Sequence, residues 1–256
     1  MARIDVAGVP FWATTLDQAA EDTVTSFTGR GPVDGGVPIR LMNSYCVALA
    51  STDPAYMRLV NDSGINYPDG RWVAWVMQRT SKEPSGQVRG PSYFVRTLEL
   101  GVPHGTRHYF FGTTDETLRL MDERLTARFP GLVIAGTSAA PFAPVEEILT
   151  DEVVDQIRAT NPDIVWVGLG TPKQDWVAQG LAERLGLPVA AVGAAFDFAA
   201  GSTPEAPQIF QRLGMEWLFR LVTEPRRLWK RYLWGNSRYL QQVVPQLLRR
   251  GVDQRR

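Results

Sequence analysis

The sequence predicts an α/β protein: a Rossmann-like parallel sheet with helices on both faces, followed by a helical C-terminal appendage. Between residues 107 and 192, short apolar runs alternate with segments of helical length. This alternation is typical of a parallel sheet with crossover helices. After residue 207 no strand pattern recurs, and Trp, Tyr, Phe and Arg become frequent. We therefore predict a Rossmann-like domain over residues 1–206 and a basic, aromatic helical appendage over residues 207–256.

The N-terminal part shows weaker patterns, apart from one helix start. Asp53 followed by Pro54 is a typical start, with Asp as the N-cap and Pro at the first helical position. That helix is expected to end near Ser63. The other predicted elements are a strand within residues 3–13, a helix from Thr15 to about Phe27, a loop over 29–36 and a strand over 39–43.

The middle of the chain shows the clearest periodicity. Leu118, Met121 and Leu125 recur at the spacing of one helix face, and Val153, Val154 and Ile157 mark a second helix. Right-handed crossovers place the loops after parallel strands along one edge of the sheet, where ligands bind. The predicted strands cover residues 107–111, 132–135, 163–168 and 188–192.

Composition restricts the classes of partner and compartment. The 256 residues carry 27 Lys/Arg and 27 Asp/Glu. The chain therefore lacks the net positive charge that would indicate nucleic-acid binding. A single cysteine, Cys46, fits a reducing compartment. The first ten residues do not have the pattern of a secretory signal, and no apolar run is long enough to span a bilayer. We expect a cytoplasmic protein that is either soluble or bound to a membrane surface without crossing it.

The charge is unevenly distributed. From Arg212 to Arg256 there are eleven Lys/Arg and three Asp/Glu, so the tail is strongly basic and the remainder acidic. Aromatic residues interleave with these cations, a pattern favoured at the surface of an anionic membrane. A solvated basic face on a packed helix is the alternative interpretation.

Three loops that follow predicted strands contain candidate site residues. In the first, Pro68 and Gly70 flank Asp69, which is either an ordinary turn residue or a carboxylate that takes a proton. In the second, residues 168–174 read GLGTPKQ. Its glycines allow the backbone to approach a ligand closely, and the start of the next helix favours an anion. The third, residues 111–115, places Gly112 and Thr113 before another helix, and a simple helix cap explains it equally well.

Several common motifs are absent from the sequence. It contains no Asp-x-Asp pair to hold a metal–sugar-diphosphate complex, no Walker A motif and no dinucleotide fingerprint. His104 and His108, the two histidines, lack partners at metal-ligand spacing. We therefore expect neither a metal nor another cofactor.

Taken in order, the loops resemble the WecG/TagA/CpsF family of bacterial glycosyltransferases over nearly the whole chain. The segments GLGTPKQ and RLGMEWL carry the most specific part of the resemblance. The matching motifs are Asn43, PDG at 68–70, RGP at 89–91, FFG at 110–112, GLGTPKQ at 168–174, GAAFDF at 193–198, AP at 206–207, RLGMEWL at 212–218 and EPRR at 224–227.

The resemblance implies an inverting, metal-independent transferase that uses a UDP-sugar and a polyprenyl-diphosphate-linked acceptor in cell-surface polysaccharide synthesis. It also implies a protein that is peripheral on the inner face of the plasma membrane. Asp69 matches the family's proposed base, and Gln174 is the second expected catalytic residue. The expected substrate-binding residues are Asn43, Arg89, Gly112, Thr113, Gly170, Thr171, Lys173, Asp197, Arg220, Arg227 and Arg231.

Departures from the family pattern concern the identity of the sugar. Leu41 stands where the family often has Thr, Ser92 where it often has an acid, and Asp175 where it usually has Glu. Donors of the N-acetylmannosamine, N-acetylglucosamine, glucose or uronic-acid type all remain open. Two alternatives also remain at this point: a non-catalytic membrane-associated scaffold and a nucleotide-binding α/β oxidoreductase. Exposed tail helices would also allow a homo-oligomer.

Overall fold

The computed structural model describes residues 2–28 and 36–253, and a six-stranded parallel sheet lies at its centre. Its strands are β3 (Val37–Met42), β4 (Ile65–Pro68), β5 (Arg107–Gly112), β6 (Val133–Ser138), β7 (Ile164–Gly168) and β8 (Pro188–Ala191). Their spatial order is β4-β3-β8-β7-β5-β6, and every neighbouring pair is parallel. The predicted α/β class with a parallel sheet is confirmed.

Helices flank this sheet. They are α1 (Leu16–Asp22), α2 (Ser44–Ala50), α3 (Pro54–Asp62), α4 (Arg71–Thr80), α5 (Gly90–Gly101), α6 (Asp115–Arg128), α7 (Val145–Ile148), α8 (Asp151–Ala159), α9 (Lys173–Leu185), α10 (Ala195–Ala200), α11 (Gln208–Leu213), α12 (Glu216–Thr223) and α13 (Pro225–Asp253). In agreement with the predicted helical appendage, α11, α12 and α13 follow residue 207.

The strands alternate their side chains between two cores, as pleated backbone requires. Phe110 and Trp166 pack on one face with α5, α6 and α10. Phe111 and Val167 pack on the other face with α8 and α9. Both faces are therefore covered, and the edge where the strands end is left for the loops.

The predicted helix caps form. Asp53 Oδ1 accepts hydrogen bonds from the amides of Ala55 and Tyr56 at 2.9 and 3.1 Å. Thr15 caps α1 and Thr114 caps α6 in the same way. These side chains satisfy amide groups that the first helical turn leaves without partners.

One N-terminal prediction needs correction. Residues 3–13 form a hairpin of two antiparallel strands, β1 (Arg3–Val6) and β2 (Val9–Trp12), rather than one strand. The helix predicted from Thr15 to about Phe27 is confirmed in extent, although α1 continues into a π-helical segment over Thr23–Phe27. Of the loop predicted over 29–36, residues 29–35 lie outside the described residues.

The last helix returns to the body of the protein. Tyr239 and Val243 of α13 are buried in the same apolar cluster as Cys46 and Val47 of α2. The Tyr239 hydroxyl also donates to the carbonyl of Trp72 at 3.1 Å. The division between residues 206 and 207 stays a prediction, but α13 shares a core with the helices after β3 and β4.

Strand β3 carries a buried cation, Arg40. Arg40 is fully buried; its guanidinium donates to the Ser63 carbonyl at 2.8 Å, to Asn66 at 3.4 Å and to the Gln179 side chain. Burial lowers the pKa of Arg40, and the nearby Asp175 opposes that change. This cluster joins β3, β4 and α9 beneath the strand ends that form the site.

Candidate active site

A cavity of about 480 Å³ lies at the carboxyl edge of the sheet. The loops after four adjacent strands, β4, β3, β8 and β7, form one side, and α11, α12 and α13 form the other. Of the residues predicted from the sequence, eight line this cavity: Asn43, Asp69, Gly170, Thr171, Gln174, Asp197, Arg220 and Arg231.

Asp69 follows β4 and is held by two backbone contacts. Its amide donates to the Met42 carbonyl at 3.0 Å, and its Oδ1 accepts the Gly90 amide of α5 at 2.7 Å. Burial raises the pKa of Asp69, while the Gly90 hydrogen bond opposes the rise. The result is a fixed, partly desolvated carboxylate on the cavity wall, with the properties that a general base requires.

Asn43 stands beside Asp69 at the end of β3. Its Oδ1 caps α2 by accepting the Tyr45 amide at 3.0 Å, and its side chain helps to hold down the pKa of Asp69. A Cβ on Gly70 would lie 3.2 Å from the Asn43 Cβ. The turn after Asp69 therefore packs directly on Asn43, so each residue positions the other.

Gln174 closes the loop after β7. Its Oε1 accepts the Gly170 amide at 3.0 Å, and its side chain is almost fully buried. Gly193 passes over this amide with φ +56°, and a Cβ there would lie 3.1 Å from Oε1. Glycine is thus required at 193 by both conformation and space. Gln174 thus holds the loop through Oε1 and also lines the cavity.

Two tail cations reach the cavity. The Arg231 guanidinium lies 4.3 Å from the ring centroid of Tyr45, and that of Arg220 lies 5.9 Å from the centroid of Phe198. The Nε atoms of both are buried without a hydrogen-bond partner among the described residues. Arg227 lies on α13, and its side chain falls outside the described part of the chain. Arg220 and Arg231 bring positive charge to the cavity that Asp69 also lines.

Arg89 is close to the cavity but does not line it. Its Nη2 lies 2.8 Å and its Nε 3.0 and 3.2 Å from the carboxylate oxygens of Glu216, and Glu205 lies 3.4 Å from Nη1. Its guanidinium is thus already paired with two carboxylates.

Three other predicted residues lie away from the cavity lining. Gly112 pairs β5 closely with β7, and a Cβ there would lie 2.7 Å from the Gly168 carbonyl. The amide of Thr113 donates to that same carbonyl at 3.1 Å. Lys173 Nζ donates to the Ala143 carbonyl at 2.8 Å. Substrate contacts from Gly112, Thr113 and Lys173 stay predictions.

The cavity also contains residues to which the sequence patterns assigned no role. Tyr45, Phe198 and Glu216 contact the candidate arginines and line the cavity. Glu216 belongs to the RLGMEWL segment, so its motif was visible. Its pairing with Arg89 spans 127 positions and leaves no local signal.

Fold and cavity together define an α/β protein with a polar, charged cleft at the carboxyl edge of its sheet. Residues 4–253 match the family described as "Glycosyl transferase WecG/TagA/CpsF family". The chain belongs to this family and is a glycosyltransferase.

Relatives share this assignment. One from Staphylococcus aureus (strain NCTC 8325 / PS 47) is 26% identical over 89% of this chain and 87% of its own length. One from Bacillus spizizenii is 31% identical over 72% of this chain and 70% of its own length. Both are named N-acetylglucosaminyldiphosphoundecaprenol N-acetyl-beta-D-mannosaminyltransferase.

Within residues 2–28 and 36–253, no helix combines the length and apolar character needed to cross a bilayer. In the same ranges, no three His, Cys, Asp or Glu side chains form a group that could hold a metal ion.

Proposed function

We propose that this protein transfers a sugar from a UDP-sugar to a sugar carried on polyprenyl diphosphate. The observation that carries the proposal is the placement of Asp69, a fixed carboxylate on the wall of a cavity that Arg220 and Arg231 also line. The names of the relatives favour N-acetylmannosamine as the sugar transferred and polyprenyl-diphosphate-linked N-acetylglucosamine as the acceptor.

In the proposed reaction, Asp69 removes the proton from an acceptor hydroxyl as that oxygen attacks the anomeric carbon. The new carbon–oxygen bond forms on the face opposite the diphosphate, whose bond to the sugar breaks in the same displacement. The configuration at the anomeric carbon is therefore inverted. Because Asp69 Oδ1 accepts the Gly90 amide, Oδ2 is the oxygen that we assign to the proton.

The departing UDP carries growing negative charge, which must be stabilised. We assign this to Arg220 and Arg231, which line the cavity with partly unsatisfied guanidinium groups. Fixed cations in a partly desolvated site stabilise developing charge more than they would in water. The Gln174 NH₂ is assigned to the donor, because its oxygen is already used by Gly170.

The lipid part of the acceptor is assigned to α13. Trp229, Leu233, Leu240, Val244 and Leu248 are exposed and follow one stripe of that helix. An open groove lined by Tyr45, Trp229, Lys230, Arg231, Leu233 and Trp234 joins this stripe to the cavity through Tyr45 and Arg231. We propose that the stripe lies on an anionic membrane and that the prenyl chain follows the groove.

A donor screen tests the transfer. UDP release is measured for UDP-N-acetylmannosamine, UDP-N-acetylglucosamine, UDP-glucose and UDP-glucuronic acid, each with and without prenyl-diphosphate N-acetylglucosamine. We expect acceptor-dependent release with UDP-N-acetylmannosamine. Release with another of these donors would correct the sugar, and no acceptor-dependent release with any of them would contradict the proposal.

Vesicle flotation tests the membrane assignment. The full chain should float with vesicles containing anionic lipid, and the double substitution Trp229→Ala/Leu233→Ala should reduce the floated fraction. A chain that ignores anionic vesicles and is dimeric by light scattering would instead assign the exposed stripe to a second copy.

A further inference from the structure

Glu216, the first residue of α12, makes the most extensive ionic contact between the tail helices and the start of α5. Both of its carboxylate oxygens approach Arg89, at 2.8 to 3.2 Å. Arg89 is only 8% exposed, so this pair is largely removed from water. Two-point pairing of this kind fixes orientation as well as distance.

Arg89 is also the residue immediately before α5. It occupies the N-cap position of this helix, and the next residue, Gly90, donates its amide to Asp69 at 2.7 Å. A Cβ on Gly90 would lie 3.6 Å from that same carboxylate oxygen. A continuous path of contacts therefore runs from Glu216 through Arg89 and Gly90 to Asp69.

A second contact supports the same junction. The Phe198 ring centroid lies 5.7 Å from the Arg89 guanidinium carbon and 5.9 Å from that of Arg220. Arg220 is one turn after Glu216 on α12, so this helix meets the body through both an ion pair and a shared ring. Cation–ring contacts at these distances are attractive.

We propose that Glu216 is a positioning residue that couples the seating of the tail helices to catalysis, by holding Arg89 and so fixing the Gly90 amide that orients Asp69. The inference rests on the proposed role of Asp69 as the base. When α12 is seated, Arg89 is neutralised and the start of α5 is fixed. When α12 is displaced, Arg89 keeps only the longer contact with Glu205, and its positive charge acts more strongly on Asp69.

The electrostatic surroundings of Asp69 agree with this geometry. Burial raises the pKa of Asp69, Glu216 adds to the rise, and Arg89 opposes it. From α2 and α13, Cys46 and Tyr232 also interact with Asp69; burial raises the pKa of each, so both face it as neutral groups near pH 7. Where the Gly90 hydrogen bond is kept, as an isosteric Gln at position 216 allows, loss of the charge on Glu216 therefore lowers the pKa of Asp69 and weakens it as a base.

A base acts when ionised, so activity falls as the pH falls through its pKa. With the Glu216 charge removed, that pKa is lower and the acidic limb of the profile moves to lower pH. The weaker base also lowers turnover on the plateau.

The test compares Glu216→Gln with Glu205→Gln in the full chain, measuring kcat, KM and the pH profile of kcat/KM. Glu205 is a matched control, because it approaches the same guanidinium at 3.4 Å, is 44% exposed in its side chain and is absent from the groups that act on Asp69. Glu216→Gln should lower kcat about tenfold, the effect of losing one charge-assisted hydrogen bond. Its acidic limb should move to lower pH, and Glu216→Asp should restore part of both.

Glu205→Gln should stay within about twofold of the unchanged protein, as expected for an exposed pair. The inference is overturned if the acidic limb of the pH profile does not move in Glu216→Gln, or if the two Gln variants behave alike. A change in melting temperature alone does not support it. Asp69→Asn distinguishes failure of the proposed base from failure of the coupling. Normal turnover of the Asp69→Asn variant would contradict the role of Asp69 as the base. If Asp69→Asn is inactive but the acidic limb of Glu216→Gln does not move, only the coupling through Glu216 is contradicted.

Discussion

Asp175 is a buried carboxylate whose removal should stabilise the protein at neutral pH. It lies in the first turn of α9, is 1% exposed, and its Oδ2 accepts the Tyr56 hydroxyl at 2.7 Å. Burial raises the pKa of Asp175 to about 6, although the Tyr56 hydrogen bond, Arg40 and Arg231 all favour the ionised form. Asp175→Asn keeps an acceptor for Tyr56 and removes the buried charge.

The magnitude follows from linkage between folding and proton binding. In the unfolded chain the pKa of Asp175 returns to its ordinary value of 3.8, so the folded state holds its proton to higher pH. Below about pH 4 both states are protonated and the substitution has little effect. From there to about pH 6 the natural chain loses stability. Asp175→Asn should therefore be more stable by about 3 kcal/mol at pH 7, or roughly 6–12 °C in Tm.

Urea unfolding of both chains between pH 4 and pH 8 gives this difference directly, because contributions from other titrating groups cancel. Tyr56→Phe is the matched variant, because it removes a hydrogen bond that favours the ionised form of Asp175. The loss of unfolding free energy with rising pH should therefore extend to higher pH in this variant. A pH-independent difference, or an Asp175→Asn chain that is less stable at pH 7, would refute the reasoning.

Three further substitutions test a helix cap, the close contact between Gly193 and Gln174, and the buried Arg40. Asp53→Ala should lower the unfolding free energy by about 1 kcal/mol in urea titration, because two amides of α3 lose their acceptor. Gly193→Ala should cost about 1–2 kcal/mol in the same assay and also lower kcat/KM, because φ is +56° and the new methyl would displace Gln174. Arg40→Met should cost about 3–5 kcal/mol, because the groups that pair with the guanidinium stay buried without it; a stable Arg40→Met chain would contradict the importance of this cluster.

The sheet was predictable because buried parallel strands and capped helices leave local patterns. Leu118, Met121 and Leu125 are all buried on one face of α6, as their spacing indicates. The hairpin at the N-terminus was missed because its turn lacks the usual Asn-Gly or Asp-Gly pair. Instead Ala7 and Gly8 adopt φ +54° and +85°, and nothing in the sequence marks an alanine for that conformation.

Cavity residues were predictable where they directly follow the end of a strand. Asp69 and Asn43 follow adjacent strands, and parallel strands end at the same edge. Lys173 and Gln174 show the limit of this reasoning: successive residues on a helix point about 100° apart, so one side chain lines the cavity and its neighbour contacts Ala143. Contacts such as Arg89 with Glu216 depend on tertiary packing alone.

The central claim is that Asp69 is the base for sugar transfer, and single-turnover measurement of Asp69→Asn tests it most directly. The rate of UDP release with donor and prenyl-diphosphate-linked acceptor should fall by about 10²–10⁴-fold, while UDP affinity stays close to that of the natural chain. Asp122→Asn, an exposed change of the same type on α6, should leave both unchanged. An Asp69→Asn chain that transfers sugar at a near-natural rate would contradict the claim.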